Sequence, residues 1–133
     1  MRQALASFVI CLVPLPALAG DVPLSAEGFE AYVTGKTLSY ASNGFPFGAE
    51  DYMGGRRVRW SYLDGDCLEG VWYPEGGLIC FAYEALPEPQ CWSFFLGPDG
   101  LFARFENRPG ATELYEMAEL PEPLVCPGPK VGV

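Results

Sequence analysis

Short apolar runs separated by turn-forming residues dominate the chain between Lys36 and Glu106. Val, Ile, Tyr, Phe and Trp are concentrated in these runs, and Gly, Asp and Pro separate them. This alternation is typical of antiparallel strands joined by tight turns. It predicts a mainly all-β fold, with strands near residues 37–41, 49–53, 56–63, 67–73, 78–83, 90–96 and 101–106.

Helix and turn signals organise the rest of the chain. Residues 25–34 predict a short helix, because Ser25 can cap its start and Gly35 can end it. Its apolar side would consist of Phe29, Tyr32 and Val33. Residues 111–118 predict one or two further helical turns, and the prolines from Pro121 onward predict an extended tail on the surface. Turns between strands are expected at Gly54-Gly55, Asp64-Gly65-Asp66, Pro74-Glu75-Gly76-Gly77, Pro87-Glu88-Pro89 and Gly97-Pro98-Asp99-Gly100.

Three turn assignments predict which residues lie opposite each other on neighbouring strands. Hairpins centred on Glu75-Gly76, Ala85-Leu86 and Pro98-Asp99 would pair Trp72 with Ile79, Val71 with Cys80, Ile79 with Trp92, Cys80 with Cys91, Trp92 with Phe105 and Phe94 with Ala103. Opposed residues share a face of the sheet. One predicted face is aromatic and holds Trp60, Leu68, Trp72, Ile79, Phe81, Trp92, Phe94 and Phe105. The other is mixed and holds Arg57, Arg59, Glu69, Val71, Cys80, Cys91, Ser93 and Arg104. Such an antiparallel meander is expected to curl into a small barrel or half-barrel around its aromatic face.

The first nineteen residues read as a secretory signal peptide. Arg2 is a positive start, an apolar stretch follows, and Ala17-Leu18-Ala19 fits a cleavage site that would leave Gly20 as the first mature residue. A membrane anchor is the alternative, although the stretch is short and interrupted by prolines. Lipidation of Cys11 is a second alternative, but the residues directly before it, Phe8-Val9-Ile10, lack the small side chains that this processing prefers. Residues 20–133 are then expected to form a single domain.

Four cysteines follow this leader, at Cys67, Cys80, Cys91 and Cys126. An even number of cysteines after an export signal indicates disulfides formed in an oxidising compartment, and four allow three pairings. The register favours Cys80–Cys91, which leaves Cys67–Cys126 to attach the tail to the sheet. A redox pair or a thiolate metal site is the alternative, and the chain offers it neither a C-x-x-C motif nor a histidine.

Charge argues against nucleic acid as a partner. The chain carries 8 basic and 17 acidic residues, a net charge of −9. Cleavage after residue 19 would remove Arg2 and leave seven basic against seventeen acidic side chains, or −10. Such a surface repels nucleic acid and anionic membranes and would attract a basic partner, or simply keep an exported protein soluble.

Several short motifs follow one another along residues 25–106. They are Gly35-Lys36-Thr37 after the helix, Tyr52-Met53-Gly54-Gly55, Gly70-Val71-Trp72, Cys80 and Cys91-Trp92. Their order resembles that of a family of small exported bacterial proteins known only as a domain of unknown function. The resemblance implies a lipocalin-like small barrel and carries over no catalytic residue. Cys67, Cys126 and the tail depart from the family's simpler pattern.

Two groups of residues are candidates for binding. An aromatic-lined interior could enclose an apolar ligand, and the candidate ligand-binding residues are Trp60, Trp72, Phe81, Trp92 and Phe94. The alternative is that these rings only fill the core of a small domain. The only basic cluster predicts an anion site formed by Arg57, Arg59 and Arg104. Its alternative is pairing of these arginines with neighbouring acids such as Glu69 and Glu106.

Catalytic motifs are missing from the sequence. Without histidine, histidine-based acid–base chemistry is excluded, and no nucleophile elbow, phosphate loop or dinucleotide fingerprint is present. The acids Asp64, Asp66, Glu69 and Glu84 could in principle hydrolyse a glycoside, but nothing fixes their separation. Asp64-Gly65-Asp66 with Glu69 lacks the further ligands of a calcium loop, so a plain turn is expected. We expect no catalytic residue, cofactor or metal site.

These observations favour an exported, periplasmic or secreted, non-enzymatic binding module. Its partner would be an apolar small molecule or an envelope protein, with no membrane span after signal cleavage. A second hypothesis is an acidic secreted inhibitor of a basic enzyme such as a lysozyme. A third is a structural protein of the cell envelope.

Overall fold

The strand pattern of the sequence produces eight consecutive antiparallel strands in the computed structural model, which describes residues 22–108, 110 and 112–127. The predicted leader (residues 1–19, with Cys11), the predicted mature start at Gly20 and the end of the tail (residues 128–133) lie outside the described residues. The strands are β1 Thr37–Ser42, β2 Phe45–Tyr52, β3 Arg57–Ser61, β4 Leu68–Glu75, β5 Leu78–Tyr83, β6 Gln90–Gly97, β7 Gly100–Phe105 and β8 Glu113–Leu120. A helix, α1, spans Ala26–Val33, and a short 3₁₀ turn spans Gly54–Arg56.

The strands form a closed barrel in sequence order, because β1 pairs with β8 as well as with β2. All seven predicted strands are confirmed, with the largest difference at β2. That strand begins at Phe45, four residues before the predicted start, and it contains a bulge next to Tyr40 of β1. Closure removes the free strand edges that a half-barrel would leave unpaired.

The eighth strand corrects a prediction, since residues 111–118 were expected to be helical. Glu113–Leu120 is a strand whose Tyr115 lies opposite Phe102 of β7 and whose Leu120 lies opposite Thr37 of β1. Two open strand edges need partners for their backbone N–H and C=O groups, and this requirement overrides a weak local preference for helix. The extra strand is what turns the predicted meander into a closed barrel.

Pairing between the strands confirms two of the three predicted hairpin centres. Cys80 lies opposite Cys91, and Trp92 lies opposite Phe105, as expected. The β4–β5 register is wrong by two residues, because Trp72 lies opposite Phe81. The turn is centred on Gly76-Gly77, and both glycines have positive φ, +56° and +79°. A two-residue turn with positive φ at both positions fits the twist of a hairpin, so the two glycines determine where the chain turns. A shift of two residues leaves the same side chains facing inward.

Helix α1 covers one end of the barrel. Ser25 caps it, since the Ser25 hydroxyl oxygen accepts a hydrogen bond from the Gly28 amide at 3.1 Å, and Gly35 follows its last turn with φ +84°. Its Phe29 and Val33 are completely buried. The Phe29 ring packs against the rings of Tyr52, Trp72, Phe81 and Phe94. Burial of such a side chain contributes about 1.5–3 kcal/mol to the stability of the fold. The helix is therefore a packed plug, meaning that its buried side chains fill this end of the barrel.

Both predicted disulfides are present. Cys80–Cys91 joins directly opposed residues of β5 and β6 whose Cα atoms are 4.0 Å apart. Cys67–Cys126 joins the loop before β4 to the tail across 59 positions of sequence. The tail is also held against β2, where the backbone amide of Leu124 donates a hydrogen bond to the Asp51 carboxylate at 3.0 Å. The described part of the tail, up to residue 127, is therefore attached to the barrel wall at Leu124 and Cys126.

Candidate functional site

A cavity of about 180 Å³ lies inside the barrel. Its walls are mostly aromatic, and they come from every strand except β4, together with Tyr62 and Thr112 from the connecting segments. The lining residues are Tyr40, Phe47, Glu50, Tyr52, Trp60, Tyr62, Phe81, Tyr83, Gln90, Trp92, Phe94, Ala103, Phe105, Thr112 and Leu114. An apolar protein cavity of about 150 Å³ can hold benzene, so this one has room for a ligand of about one ring.

A layer of aromatic rings separates helix α1 from the cavity. Tyr52, Phe81 and Phe94 contact Phe29 of the helix and also line the cavity, whereas no helix residue lines it. The partly exposed lining residues are Phe47, Tyr62, Gln90, Phe105 and Thr112. The cavity is therefore closed toward the helix and reaches solvent through these partly exposed side chains.

Two inward-facing glycines make room for the rings of the cavity wall. A Cβ on Gly70 of β4 would lie 2.4 Å from the Ala82 carbonyl oxygen and 2.9 Å from the Tyr83 ring. A Cβ on Gly48 of β2 would lie 2.2 Å from the Trp60 ring. Distances below 3.0 Å are not tolerated, so only glycine at these two positions leaves room for the Trp60 and Tyr83 rings.

A buried polar cluster lies within this aromatic wall. The Tyr83 hydroxyl donates a hydrogen bond to Glu50 Oε1 at 2.8 Å, and the hydroxyl groups of Tyr40 and Tyr52 share a hydrogen bond at 2.7 Å. Glu50 is 1% exposed, and its second carboxyl oxygen, Oε2, has no hydrogen-bond partner among the described residues. Leaving a buried polar atom unpartnered costs about 1–3 kcal/mol, so this group calls for an explanation.

Burial controls the protonation of this cluster. Removal from water raises the pKa of the Glu50 carboxyl well above its ordinary value, and the nearby acids Asp51 and Glu69 raise that pKa further. The hydrogen bond from Tyr83 favours the charged form but does not offset the burial. Burial likewise raises the pKa of Tyr83, Tyr52 and Tyr40. The carboxyl group in the cavity wall therefore keeps its proton to a higher pH than an exposed glutamate does.

The predicted ligand-binding residues divide between cavity and core. Trp60, Phe81, Trp92 and Phe94 line the cavity. Trp72 does not, because its ring packs against Phe29 on the helix side and lies beneath the Arg56 guanidinium at 4.6 Å. The aromatic face thus contains both features that the sequence left as alternatives, a filled layer under the helix and a cavity beyond it.

The three arginines of the predicted anion site do not come together. Arg57 and Arg59 lie on β3 and Arg104 on β7, with three strands between them in either direction around the barrel. Arg59 pairs with Glu69 at 2.6 Å and with Asp51 at 3.8 Å on the outer surface. The predicted pairing with Glu69 is thus present.

Arg104 also has an acidic neighbour, though not the expected one. It lies 3.5 Å from Glu113, and its guanidinium lies over the rings of Phe95 and Phe102. Glu106 instead accepts a hydrogen bond from the Ser93 hydroxyl. Each of these contacts holds the outer faces of neighbouring strands together.

The remaining candidate acids and sulfurs lie on the outside of the barrel. Asp64 and Asp66 are exposed, and the Asp66 amide donates to the Asp64 carboxylate at 3.1 Å, which is the expected turn. Within the described part of the chain, one group of potential metal ligands occurs, Glu75 with Cys80 and Cys91. Its two sulfurs are bonded to each other, so they offer no thiolate while the disulfide is intact.

Sequence reasoning missed Glu50, Tyr40, Tyr52 and Tyr83 as site residues. A signal was present for two of them, because Glu50 lies opposite Trp60 in the β2–β3 ladder and Tyr52 follows two positions later. Extending the aromatic face across the Gly54-Gly55 turn would have placed both inside. Tyr40 needed closure between β1 and β8, which the expected helix at 111–118 concealed.

Comparison of the chain with protein-family models, curated proteins and solved structures found no match. Among the described residues, none of the helices has the length and apolar character needed to cross a membrane. The resemblance to a family of small exported proteins therefore stays a prediction. What the structure defines is a closed eight-stranded antiparallel barrel with two disulfides and an internal cavity.

Proposed function

We propose that this protein is an exported, non-enzymatic binding module that encloses a small, mainly apolar molecule in its barrel. The observation that carries the proposal is the cavity of about 180 Å³, walled by aromatic side chains and reaching solvent at one end. Small barrels of lipocalin type bind ligands in this position, and ligand sites are typically concave and mostly apolar with few polar groups. Lipocalin-like binding is thus the closest functional analogy.

Export is part of the proposal. Two disulfides are consistent with an oxidising compartment, because thiols stay reduced in the cytosol. With the leader predicted at residues 1–19, they support a location in the periplasm or outside the cell. Mass spectrometry of the mature chain tests this directly, since cleavage would leave Gly20 at the amino terminus.

Binding can be tested with toluene, a neutral one-ring probe. We expect toluene to raise the unfolding temperature of the protein, because a ligand that binds only the folded state stabilises it. Ala103→Leu should abolish the shift by filling the cavity, since Ala103 is buried and lines it. Ala118→Leu adds the same atoms at an exposed position of β8 and should leave the shift unchanged.

A second readout covers the case in which Ala103→Leu does not fold. Bromobenzene in the cavity should quench the fluorescence of Trp60 and Trp92, which line it, in the unmodified protein. If neither toluene nor bromobenzene binds, the cavity does not accept ligands and the proposal is wrong. If either probe binds, native mass spectrometry of protein purified from its exported fraction can identify the physiological ligand.

The hypothesis of an acidic inhibitor rests on the net charge of −9. Capture of a basic enzyme such as a lysozyme that weakens steeply with salt would support it, because steering between exposed charges is screened.

A further inference from the structure

We infer that the cavity takes a small amine, with an apolar body of about one ring and an ammonium group that meets the Glu50 carboxylate. This inference rests on the proposed function, since it names the ligand class of the same cavity. Its geometric basis is Glu50 Oε2, a buried carboxyl oxygen in the cavity wall without a hydrogen-bond partner among the described residues. A ligand that donates a hydrogen bond to Oε2 would complete the cluster.

The composition of the wall favours a cation over an anion. Glu50 is the one carboxylic acid among the lining residues, and none of them is basic. Asp51 and Glu69, whose charge acts on Glu50, pair with Arg59 on the outer surface, so the preference for a cation rests on Glu50 itself. A carboxylate ligand such as a fatty acid would meet an acid and find no basic partner among these residues.

The aromatic rings of the wall suit the same ligand. Trp60 and Trp92, the best ring type for contact with a cation, line the cavity together with Tyr52, Phe81 and Phe94. An ammonium group loses its water when it enters such a site, and ring faces together with a charged hydrogen bond offset that loss. The apolar body of the ligand would fill the remaining volume, which is close to that of one ring.

Binding of an amine would release a proton. In the free protein burial raises the pKa of the Glu50 carboxyl, which therefore keeps its proton to a higher pH than an exposed glutamate does. When an ammonium ion binds, it keeps its three protons, and Glu50 gives its carboxyl proton to solvent to become the carboxylate partner. Tyr83 on β5 donates a hydrogen bond to Glu50, and the groups that interact with it by charge are Asp51 on β2, Glu69 on β4, Tyr40 and Tyr52, with Arg59 of β3 paired to both acids. The three tyrosines have raised pKa values, so they stay neutral near pH 6.

Isothermal titration calorimetry with a matched ligand series tests the inference on the full mature chain. The series is benzylamine, benzyl alcohol, benzoate and toluene, which share one ring and differ in charge and hydrogen bonding. At pH 6 we expect benzylamine to bind on the order of tenfold more tightly than benzyl alcohol. Its measured heat should vary with the ionisation enthalpy of the buffer, which shows a net release of protons on binding. The heat of benzyl alcohol should not vary with the buffer.

Two variants separate Glu50 from the overall acidity of the protein. Glu50→Gln should lose the preference for benzylamine and the proton release, while it keeps the affinity for benzyl alcohol. Glu69→Gln removes the same charge from the outer surface, where Glu69 pairs with Arg59, and should keep the benzylamine preference. If Glu50→Gln does not fold, the ligand series and the proton release of the unmodified protein still decide the question.

The outcomes distinguish this inference from the proposed function. If toluene or benzyl alcohol binds as tightly as benzylamine, or if benzoate binds more tightly, the amine inference is wrong and the binding module stands. An unchanged benzylamine preference in Glu50→Gln would likewise overturn it. If none of the four ligands binds, the proposed function fails, and the amine inference fails with it.

Discussion

Glu50 should make the protein less stable as pH rises, and Glu50→Gln should remove this dependence. The carboxyl is completely buried, and its pKa in the folded protein lies well above the ordinary value. In the unfolded chain the same group loses its proton near pH 4.3. Above that pH the folded state binds one proton more than the unfolded state, so the free energy of unfolding falls with rising pH. The stabilisation is complete below the unfolded pKa and is lost as pH rises through the folded pKa.

The size of this effect follows from a single proton. A difference of one bound proton changes the free energy of unfolding by about 1.4 kcal/mol per pH unit. The slope begins near the unfolded pKa and ends once Glu50 ionises in the folded protein. At pH 4 the variant and the unmodified protein should agree within about 1 kcal/mol, because glutamine has nearly the shape of a protonated glutamate and keeps a carbonyl oxygen for the Tyr83 hydroxyl. At higher pH, Glu50→Gln should become the more stable of the two.

Urea unfolding at half-unit steps between pH 4 and pH 8 measures this difference. Subtracting the two curves cancels the titration of every other group, and the tyrosines of the cluster, with their raised pKa values, do not titrate in this range. Glu84→Gln, at an exposed position, is the control and should follow the unmodified protein at every pH. A stability difference between Glu50→Gln and the unmodified protein that stays constant across the range would refute the reasoning, because it would mean that folding leaves the Glu50 pKa unchanged.

Three further changes test the packing of the barrel. Gly70→Ala should lower the free energy of unfolding in urea by about 1–3 kcal/mol, because the new Cβ would collide with the next strand. Gly97→Ala, whose Cβ would meet no atom closer than 3.9 Å, is the control and should cost far less. Equal losses in the two variants would contradict this reasoning. Replacing Cys67 and Cys126 together by alanine should lower the free energy of unfolding by about 4 kcal/mol, which is the chain-entropy value for a closed loop of this length. A loss below about 1 kcal/mol would show that the tail stays in place without the disulfide. Phe29→Ala should cost about 3–5 kcal/mol by the same measurement, and a surface-like loss below about 0.5 kcal/mol would show that the helix is not a packed plug.

Local sequence signals predicted much of this fold because they act over short distances. Tight turns with glycine, alternating apolar positions and directly opposed cysteines each depend on a few neighbouring residues. They were sufficient for seven strands, the helix and both disulfides. The one wrong register, at β4–β5, arose where two successive glycines allowed a choice of turn centre.

Long-range features were not predictable in the same way. Residues 113–120 form a strand only because β1 and β7 present open edges to them, and no local pattern encodes that requirement. The site depends on this closure, since Tyr40 of β1 enters the cavity wall together with Leu114 of β8. Glu50 was overlooked because two adjacent acids, Glu50 and Asp51, point to opposite faces of β2, and which of them faces inward is known only from the pairing of β2 with β3.

Pairing of the first strand with the last determines when folding can finish. Thr37 of β1 lies opposite Leu120 of β8, so the barrel cannot close until nearly the whole chain is available. Contacts between such distant residues cost loop entropy before they contribute stability, which slows folding to the millisecond-to-second range typical of barrels. Until the barrel closes, β1 and β8 expose unpaired backbone edges to other chains. The Cys80–Cys91 disulfide can form early, because its two cysteines are close in sequence. Aggregation should therefore compete with folding chiefly in the interval before β8 pairs with β1 and β7.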